Sequence, residues 1–255
     1  MPELPEVEMF KRYGEKHFLN RKILKIEIDD PRVVSVEPEA FKNLYNEEIV
    51  ALGRRGKYVY GTTTKKDLFL TLHFGMTGYL KTYDRKEERP KGTRVSFELE
   101  GGFMAWVNPR KFGRVGLTDN VAGFFKEKNF GEDALTISKE DFLKIFGKTK
   151  GPIKSRLMDQ KNVAGIGNIY ADEILFQCGI HPEKDASQIS EKVFEEIYGM
   201  MQEVFNMAIE HKAQYRTYPE RYLLFDRTEK RQNPPLSIIK VGGRTTYFDS
   251  KRQKK

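Results

Sequence analysis

Between residues 22 and 117 the chain is broken into eight short stretches, at 22–28, 49–52, 58–62, 68–74, 79–83, 94–99, 103–107 and 114–117. The first, Lys22-Ile-Leu-Lys-Ile-Glu-Ile28, alternates apolar and polar side chains, the period of a strand with one buried face. Short strands at this spacing, with Gly101-Gly102 as a tight turn, predict an antiparallel sandwich or barrel. Ahead of them, Leu4, Val7 and Phe10 are spaced as on one helix face, and Pro5 with early glutamates suits a helix's first turn. The first ~120 residues therefore read as a β domain with a leading helix.

The pattern changes at Ser138-Lys-Glu-Asp141, where Ser138 can cap a helix, Asp141 can reach back to it, and Phe142, Ile145 and Phe146 continue an apolar face. Helices are predicted at 153–160, 169–178 and 190–212. In the last, Val193, Ile197, Met200, Met201, Val204, Phe205, Ala208 and Ile209 form the stripe of a core helix, so its methionines are read as packing. The helical pattern stops beyond Tyr215. Asn233, Pro234 and Pro235 lead into apolar stretches at 236–241 and 244–248, separated by Gly242-Gly243, which predicts a hairpin. The expected architecture is α+β and multidomain, with a β domain over 1–130, a helical domain over 131–215 and a hairpin domain over 216–255.

The chain has 255 residues and a formal net charge of +8. Residues 221–255 hold ten Lys or Arg against Asp226, Glu229 and Asp249, so the excess sits at one end and favours a polyanionic partner. A solvated basic tail is the bland alternative. A membrane surface is a weaker competitor, because no basic amphipathic helix is evident. No apolar run approaches the ~20 residues of a membrane span, and the start of the chain is unlike a signal peptide, which points to the cytoplasm. The single Cys178 excludes an intramolecular disulfide framework and a multi-cysteine zinc site, and is expected to fill a core as a small apolar group.

Five stretches can carry chemistry. Removal of Met1 from Met1-Pro2-Glu3-Leu4-Pro5-Glu6 would expose the Pro2 amine beside the Glu3 carboxylate. An α-amino group titrates near ~8, so more of it is unprotonated at neutral pH than of lysine, and it can attack electrophilic carbon to form a Schiff base. The bland reading is a frayed terminus. Gly53-Arg-Arg-Gly-Lys57 lies between strands and presents three cations, for phosphate contact or as an ordinary charged loop. Phe74-Gly-Met76-Thr-Gly78 and Asn108-Pro-Arg110-Lys-Phe112-Gly113 place bulky side chains on loops, as wedges between base pairs or as covered loops. Gly165-Ile-Gly-Asn168 precedes a helical run whose first backbone N–H groups can bind a phosphate oxygen. Its dinucleotide-site reading is poor, since a third glycine is missing and the preceding segment looks helical; a purely structural turn stays open.

Taken together, Pro-Glu-Leu-Pro-Glu-Val, Gly-Arg-Arg-Gly-Lys, Gly-Met-Thr-Gly, Asn-Pro-Arg-Lys-Phe-Gly and Gly-Ile-Gly-Asn-Ile-Tyr-Ala-Asp-Glu resemble, in order, the motifs of the formamidopyrimidine-DNA glycosylase and endonuclease VIII family, over a match from Pro2 to about Phe248. The opening is more similar to the formamidopyrimidine branch. The resemblance implies an N-terminal β-sandwich, a helix-two-turns-helix domain and a C-terminal finger. It implies a base excision repair glycosylase with abasic-site lyase activity, acting as a monomer on double-stranded DNA with damaged bases or abasic sites, without cofactor or metal, in the nucleoid or nucleus. By the same resemblance Pro2 is the nucleophile, Glu3 moves protons, Lys57 contacts phosphate near the lesion, and Met76, Arg110 and Phe112 fill the gap left by a flipped nucleotide. Lys154 and Asn168 match phosphate contacts, and Arg244 matches the arginine at the hairpin tip.

Two departures stand out. Most members clamp the hairpin with four cysteines around zinc, whereas these regions read Asn233-Pro-Pro235 and Asp249-Ser-Lys-Arg252; a zincless finger held by packing is expected. The stretch from Tyr215 to Phe225 is shorter than the base-covering loop of oxidised-guanine-preferring relatives. Oxidised pyrimidines, ring-opened purines and further-oxidised guanine products are then credible substrates. The competing functions are a catalytically silent damaged-DNA-binding relative and a small-molecule enzyme with an N-terminal proline; neither uses Pro2, Glu3, the wedge loops and the basic hairpin together.

Overall fold

The computed structural model describes residues 1–224 and 236–255; Asn233, Pro234, Pro235 and Phe225 lie outside them. The chain divides into two compact units, Met1–Pro2 with Glu6–Lys128 and Glu3–Pro5 with Asn129–Lys255. Helix α1 (Leu4–His17) gives its first two residues to the second unit and the rest to the first.

In the first unit the eight predicted strands form as β1 (Ile23–Ile28), β2 (Ile49–Arg55), β3 (Tyr58–Thr63), β4 (Phe69–His73), β5 (Tyr79–Tyr83), β6 (Thr93–Leu99), β7 (Gly102–Val107) and β8 (Arg114–Thr118). They make two antiparallel four-stranded sheets, ordered β1-β6-β7-β5 and β2-β3-β4-β8. Strand β2 runs three residues past its predicted end, because Arg54 and Arg55 pair with Val59 and Tyr58 across a two-residue turn. Between the sheets Val7, Phe18, Phe41, Val59, Leu72, Phe97 and Trp106 form one buried cluster. Burial of each such side chain is worth ~1.5–3 kcal/mol, which offsets the ordering of these short strands. Helix α2 (Val121–Glu127), which the apolar spacing missed, is seven residues long, contains Gly123, and starts where the Asn120 side chain accepts from Gly123 N–H.

The second unit contains β9 (Glu132–Asp133), α3 (Lys139–Phe146), α4 (Ile153–Met158), β10 (Val163–Ala164), α5 (Asn168–Gln177), α6 (Glu191–Glu210), β11 (Ser237–Val241) and β12 (Arg244–Phe248). Ser138 caps α3: its Oγ accepts from Asp141 N–H at 3.0 Å and donates to the Asp141 carboxylate at 2.6 Å. Along α6, Ile197, Met201, Val204, Phe205 and Ala208 are buried, so the stripe faces the core as its spacing demands. Helix α4 stops two residues early, and Val163–Ala164 pairs in parallel with Glu132–Asp133. The segment before Gly165-Ile-Gly-Asn168 is thus a short strand, where a helix was expected. Strands β11 and β12 pair antiparallel across Gly242-Gly243, both at positive φ (55° and 74°), the conformation a tight hairpin turn needs. Cys178 is half-buried at the end of α5, and burial pushes its thiol up to about 12.

Candidate active site

The candidate residues fall into two sets, one on each unit. In the second, the Gly165–Asn168 stretch leads into amides that are engaged within the chain. The amides at the start of α5 already have an anion, the chain's own Glu3: Ile169 N–H donates to one carboxylate oxygen at 2.9 Å and Tyr170 N–H to the other at 3.2 Å. Glu3 is buried at 1% exposure, and Leu4 N–H donates to the Gly165 carbonyl at 3.2 Å. The two glycines make room for this docking. A Cβ on Gly167 would lie 2.2 Å from the Glu3 carboxyl carbon, and one on Gly165 would lie 2.5 Å from a Leu4 methyl group. Gln160 braces the loop, accepting from Gly165 N–H and donating to the carbonyls of Met158 and Ile166. The helix-terminus chemistry expected for an external anion therefore serves to orient the acid next to Pro2.

Lys154 departs from the expectation of a phosphate contact. Its side chain is fully buried, with Nζ 2.7 Å from Asp172, itself buried. The same ammonium donates to Asn168 Oδ1 at 2.8 Å and Thr246 Oγ1 at 2.6 Å. Asn168 Nδ2 in turn donates to the Thr245 carbonyl at 3.1 Å, and Tyr247 N–H donates to the second Asp172 oxygen at 3.2 Å. This buried charge network ties α4, α5 and β12 together and fixes the Asn168 amide, while Arg244 stands exposed at the hairpin turn. Beside Asp172, Glu173 accepts from Leu223 N–H at 3.2 Å, from Leu224 N–H at 2.8 Å and from the Gln177 amide at 2.7 Å. Burial pushes this carboxyl up to about 7, against hydrogen bonds that favour its anion.

In the first unit, Pro2 is half-buried and Met1 exposed. Lys57 sits with Gly56 in the turn between β2 and β3, and Gly56 has φ of 56°. Arg54 shapes that turn by donating to the Gly56 carbonyl at 3.1 Å and to Glu8 of α1 at 3.0 Å, a pair almost fully shielded from solvent. Across β3 and β4, Tyr58 pairs with His73, whose imidazole is pushed down to about 4 by burial and then by Lys57, Lys128 and Arg114.

The two expected wedge loops are brought together by Asn108. Fully buried, it donates from Nδ2 to the Phe74 carbonyl at 2.9 Å and accepts at Oδ1 from Gly113 N–H at 3.4 Å. Gly75 lies so close to the other loop that a Cβ there would come within 2.4 Å of the Phe112 and Gly113 backbone. On this joint, Met76 is 38% and Phe112 55% exposed, and the Arg110 guanidinium lies 5.2 Å from the Phe112 ring centre. Large apolar side chains are thus held out in solvent by a buried polar scaffold.

Sequence reasoning missed Asn108, His73, Asp172, Glu173 and the Glu8–Arg54 pair. Asp172 and Glu173 carried a signal: two acids inside Ile-Tyr-Ala-Asp-Glu-Ile-Leu-Phe interrupt an otherwise apolar helix, and α5 buries every residue from Tyr170 to Leu175.

Comparison with known proteins gives a consistent picture. Residues 1–115 match the family model described as the formamidopyrimidine-DNA glycosylase N-terminal domain, and residues 131–218 match the formamidopyrimidine-DNA glycosylase H2TH domain. The formamidopyrimidine-DNA glycosylase of Streptococcus pneumoniae strain R6 is 34% identical over 97% of both chains, and that of Arabidopsis thaliana is 31% identical over all of this chain and 71% of its own. A crystal structure of the Lactococcus lactis formamidopyrimidine-DNA glycosylase, non-covalently bound to DNA containing an abasic site, covers 100% of both chains at 30% identity with a TM-score of 0.88. So does a structure of MutM in complex with DNA containing carbocyclic 8-oxo-G.

Proposed function

The chain belongs to the formamidopyrimidine-DNA glycosylase family, and from that premise we propose that it is a base excision repair DNA glycosylase with abasic-site lyase activity, acting through the Pro2 amine. The observation that carries this reading is the seating of Glu3. A carboxylate adjacent in sequence to the nucleophile is fixed by two backbone N–H groups and closely approached by Gly167, an arrangement that a pure binding protein does not need.

With Met1 removed, the unprotonated Pro2 nitrogen attacks C1′ of the damaged nucleoside. The C1′–N bond breaks, the base leaves with the bonding electrons and a proton, and the ring oxygen departs from C1′ as the Schiff base forms. Glu3 moves the proton to the sugar oxygen as the ring opens. Loss of a C2′ proton then expels the 3′ phosphate and cuts the strand, and water releases the amine. Because C1′ is shielded inside a duplex, the nucleotide must flip out. Met76 and Phe112, with Arg110 toward the orphaned base, fill the space it leaves. Lys57, Asn168 and Arg244 hold the phosphate backbone. Lys154, as a buried cation, acts through Asn168 and β12 and makes no direct contact. Oxidised pyrimidines, ring-opened purines and further-oxidised guanine products are the proposed substrates. The enzyme works as a monomer in the compartment that holds the chromosome.

The test is a panel of duplexes, each carrying one lesion or an abasic site, with release of the base and strand scission scored separately. Wild-type protein excises bases and cuts abasic sites, and Pro2→Gly binds the same duplexes without cutting. Tight binding with neither reaction would make the protein a silent damaged-DNA-binding relative.

A further inference from the structure

The segment that follows the hairpin is organised as a clasp. Relatives commonly place zinc-binding cysteines here, but this chain has one cysteine, Cys178, on another element, and the positions after β12 are Asp249 and Arg252. Asp249 Oδ1 is engaged within the chain, accepting from Lys251 N–H at 2.8 Å and from Arg252 N–H at 3.4 Å, which closes a turn. A cationic guanidinium at the second position is no metal ligand. The donor set does not fit zinc.

Gln253 occupies the centre of that turn at 1% exposure. Its Oε1 accepts from Asp249 N–H at 2.8 Å, and its Nε2 donates to the Ile180 carbonyl at 2.8 Å. Its own N–H donates to the Asp249 carbonyl at 2.8 Å. One buried amide thus bridges the end of β12 to the turn after α5. Flanking bonds repeat the link: His181 N–H donates to the Lys254 carbonyl at 3.0 Å, Lys254 N–H donates to the Gly179 carbonyl at 3.3 Å, and Arg252 donates to the Gln177 carbonyl at 3.0 Å while lying over Phe176. His181 packs edge-on against Phe248, with ring centres 4.6 Å apart. Packing alone, the expected means of holding this hairpin, is only part of what the structure contains. A two-stranded hairpin is marginal by itself in water and takes its position from whatever fixes its ends.

We propose that Gln253, closing the Asp249 turn onto the Ile180 carbonyl, is the positioning residue that takes the place of a metal clamp and aims the hairpin, with Arg244 at its tip, at DNA. This rests on the hairpin being a DNA contact, and the experiment separates the two ideas. Four full-length proteins, wild type, Gln253→Ala, Gln253→Glu and Arg244→Ala, are compared by amide hydrogen exchange over β12, by DNA affinity, and by single-turnover strand scission at saturating DNA.

Gln253→Ala loses two buried hydrogen bonds, so exchange at residues 244–248 accelerates and DNA affinity falls about tenfold, while scission at saturation stays within about twofold of wild type. Gln253→Glu keeps the acceptor for Asp249 N–H, loses the donor to Ile180, and falls between the two. Chelation leaves wild-type affinity unchanged. Unaltered exchange and affinity in Gln253→Ala, with Arg244→Ala weakened, would overturn the clasp alone; unaltered affinity in Arg244→Ala would overturn the reading of the hairpin. Should Gln253→Ala fail to fold, Gln253→Glu and the chelation arm decide, and a chelator-sensitive wild type would overturn the proposal.

Discussion

Substitution of Lys154 by Met tests the buried charge network. Nζ lies 2.7 Å from Asp172, with both side chains fully shielded from solvent. Removing the cation leaves a carboxylate buried without its counter-charge, which costs about 3–5 kcal/mol. It also releases Asn168 Oδ1 and Thr246 Oγ1. For a unit of this size each kcal/mol lowers the midpoint by roughly 3–4 °C, so Lys154→Met should melt on the order of 10 °C below wild type. The double variant Lys154→Met/Asp172→Leu removes both charges and recovers part of the loss. Recovery is incomplete because Tyr247 N–H loses its acceptor, a cost of about 1–3 kcal/mol. Circular dichroism at 222 nm follows the helices, while the single Trp106, buried in β7, reports the first unit. A loss under about 1 kcal/mol in Lys154→Met, or a double variant no more stable than the single, would refute the network as the tie between α4, α5 and the hairpin.

Gly167→Ala places a Cβ 2.2 Å from the Glu3 carboxyl carbon at a backbone position with ordinary φ, so the acid must move; strand scission should fall by about 10–100-fold with DNA affinity nearly unchanged, and equal losses in both would contradict this. Glu173, pushed up to about 7, holds a proton in the folded state that the unfolded chain releases above the ordinary value of 4.5. Its contribution is greatest below pH 4.5 and declines as pH rises to 7, so Glu173→Gln should flatten the thermal midpoint across that window. His73, pushed down to about 4, works in the opposite sense: its contribution is complete above pH 6.5 and is lost as pH falls toward 4, and His73→Gln should remove that slope. Arg244→Ala should reduce the slope of log affinity against log salt by about one, as loss of one phosphate contact requires; an unchanged slope would take the hairpin tip off the DNA backbone.

The strands of the first unit were legible as short apolar stretches between turn residues; β3 buries every second residue, whereas β1 buries Ile23 and Ile26 and leaves Leu24 exposed, because its register shifts between Ile23 and Lys25. Ser138 and the α6 stripe were legible because caps and periodic faces are local. Helix α2 was not, since its seven residues make less than two apolar turns and Gly123 breaks them. The exposed loop residues Met76, Arg110 and Phe112 stood out beside glycine, but Asn108, which joins the loops, works through a carbonyl 34 residues away, and no local pattern encodes such a bond. Lys154 shows the same limit more sharply. A lysine at a helix start reads as a surface cation, and its burial follows only from Asp172, 18 residues on, facing it from α5. The amides of Ile169 and Tyr170 open the helix where a phosphate was expected, yet the anion they hold comes from position 3, far away in sequence.

The central claim is that the Pro2 nitrogen bonds to the DNA. Trapping the protein on abasic-site DNA with borohydride, digesting the adduct and mapping the modified peptide locates the bond. The account predicts a single adduct on Pro2 of chains that have lost Met1, weakened in Glu3→Gln and absent in chains that retain Met1. An adduct on Lys57 or any other lysine, or one of equal yield with Met1 in place, would contradict it.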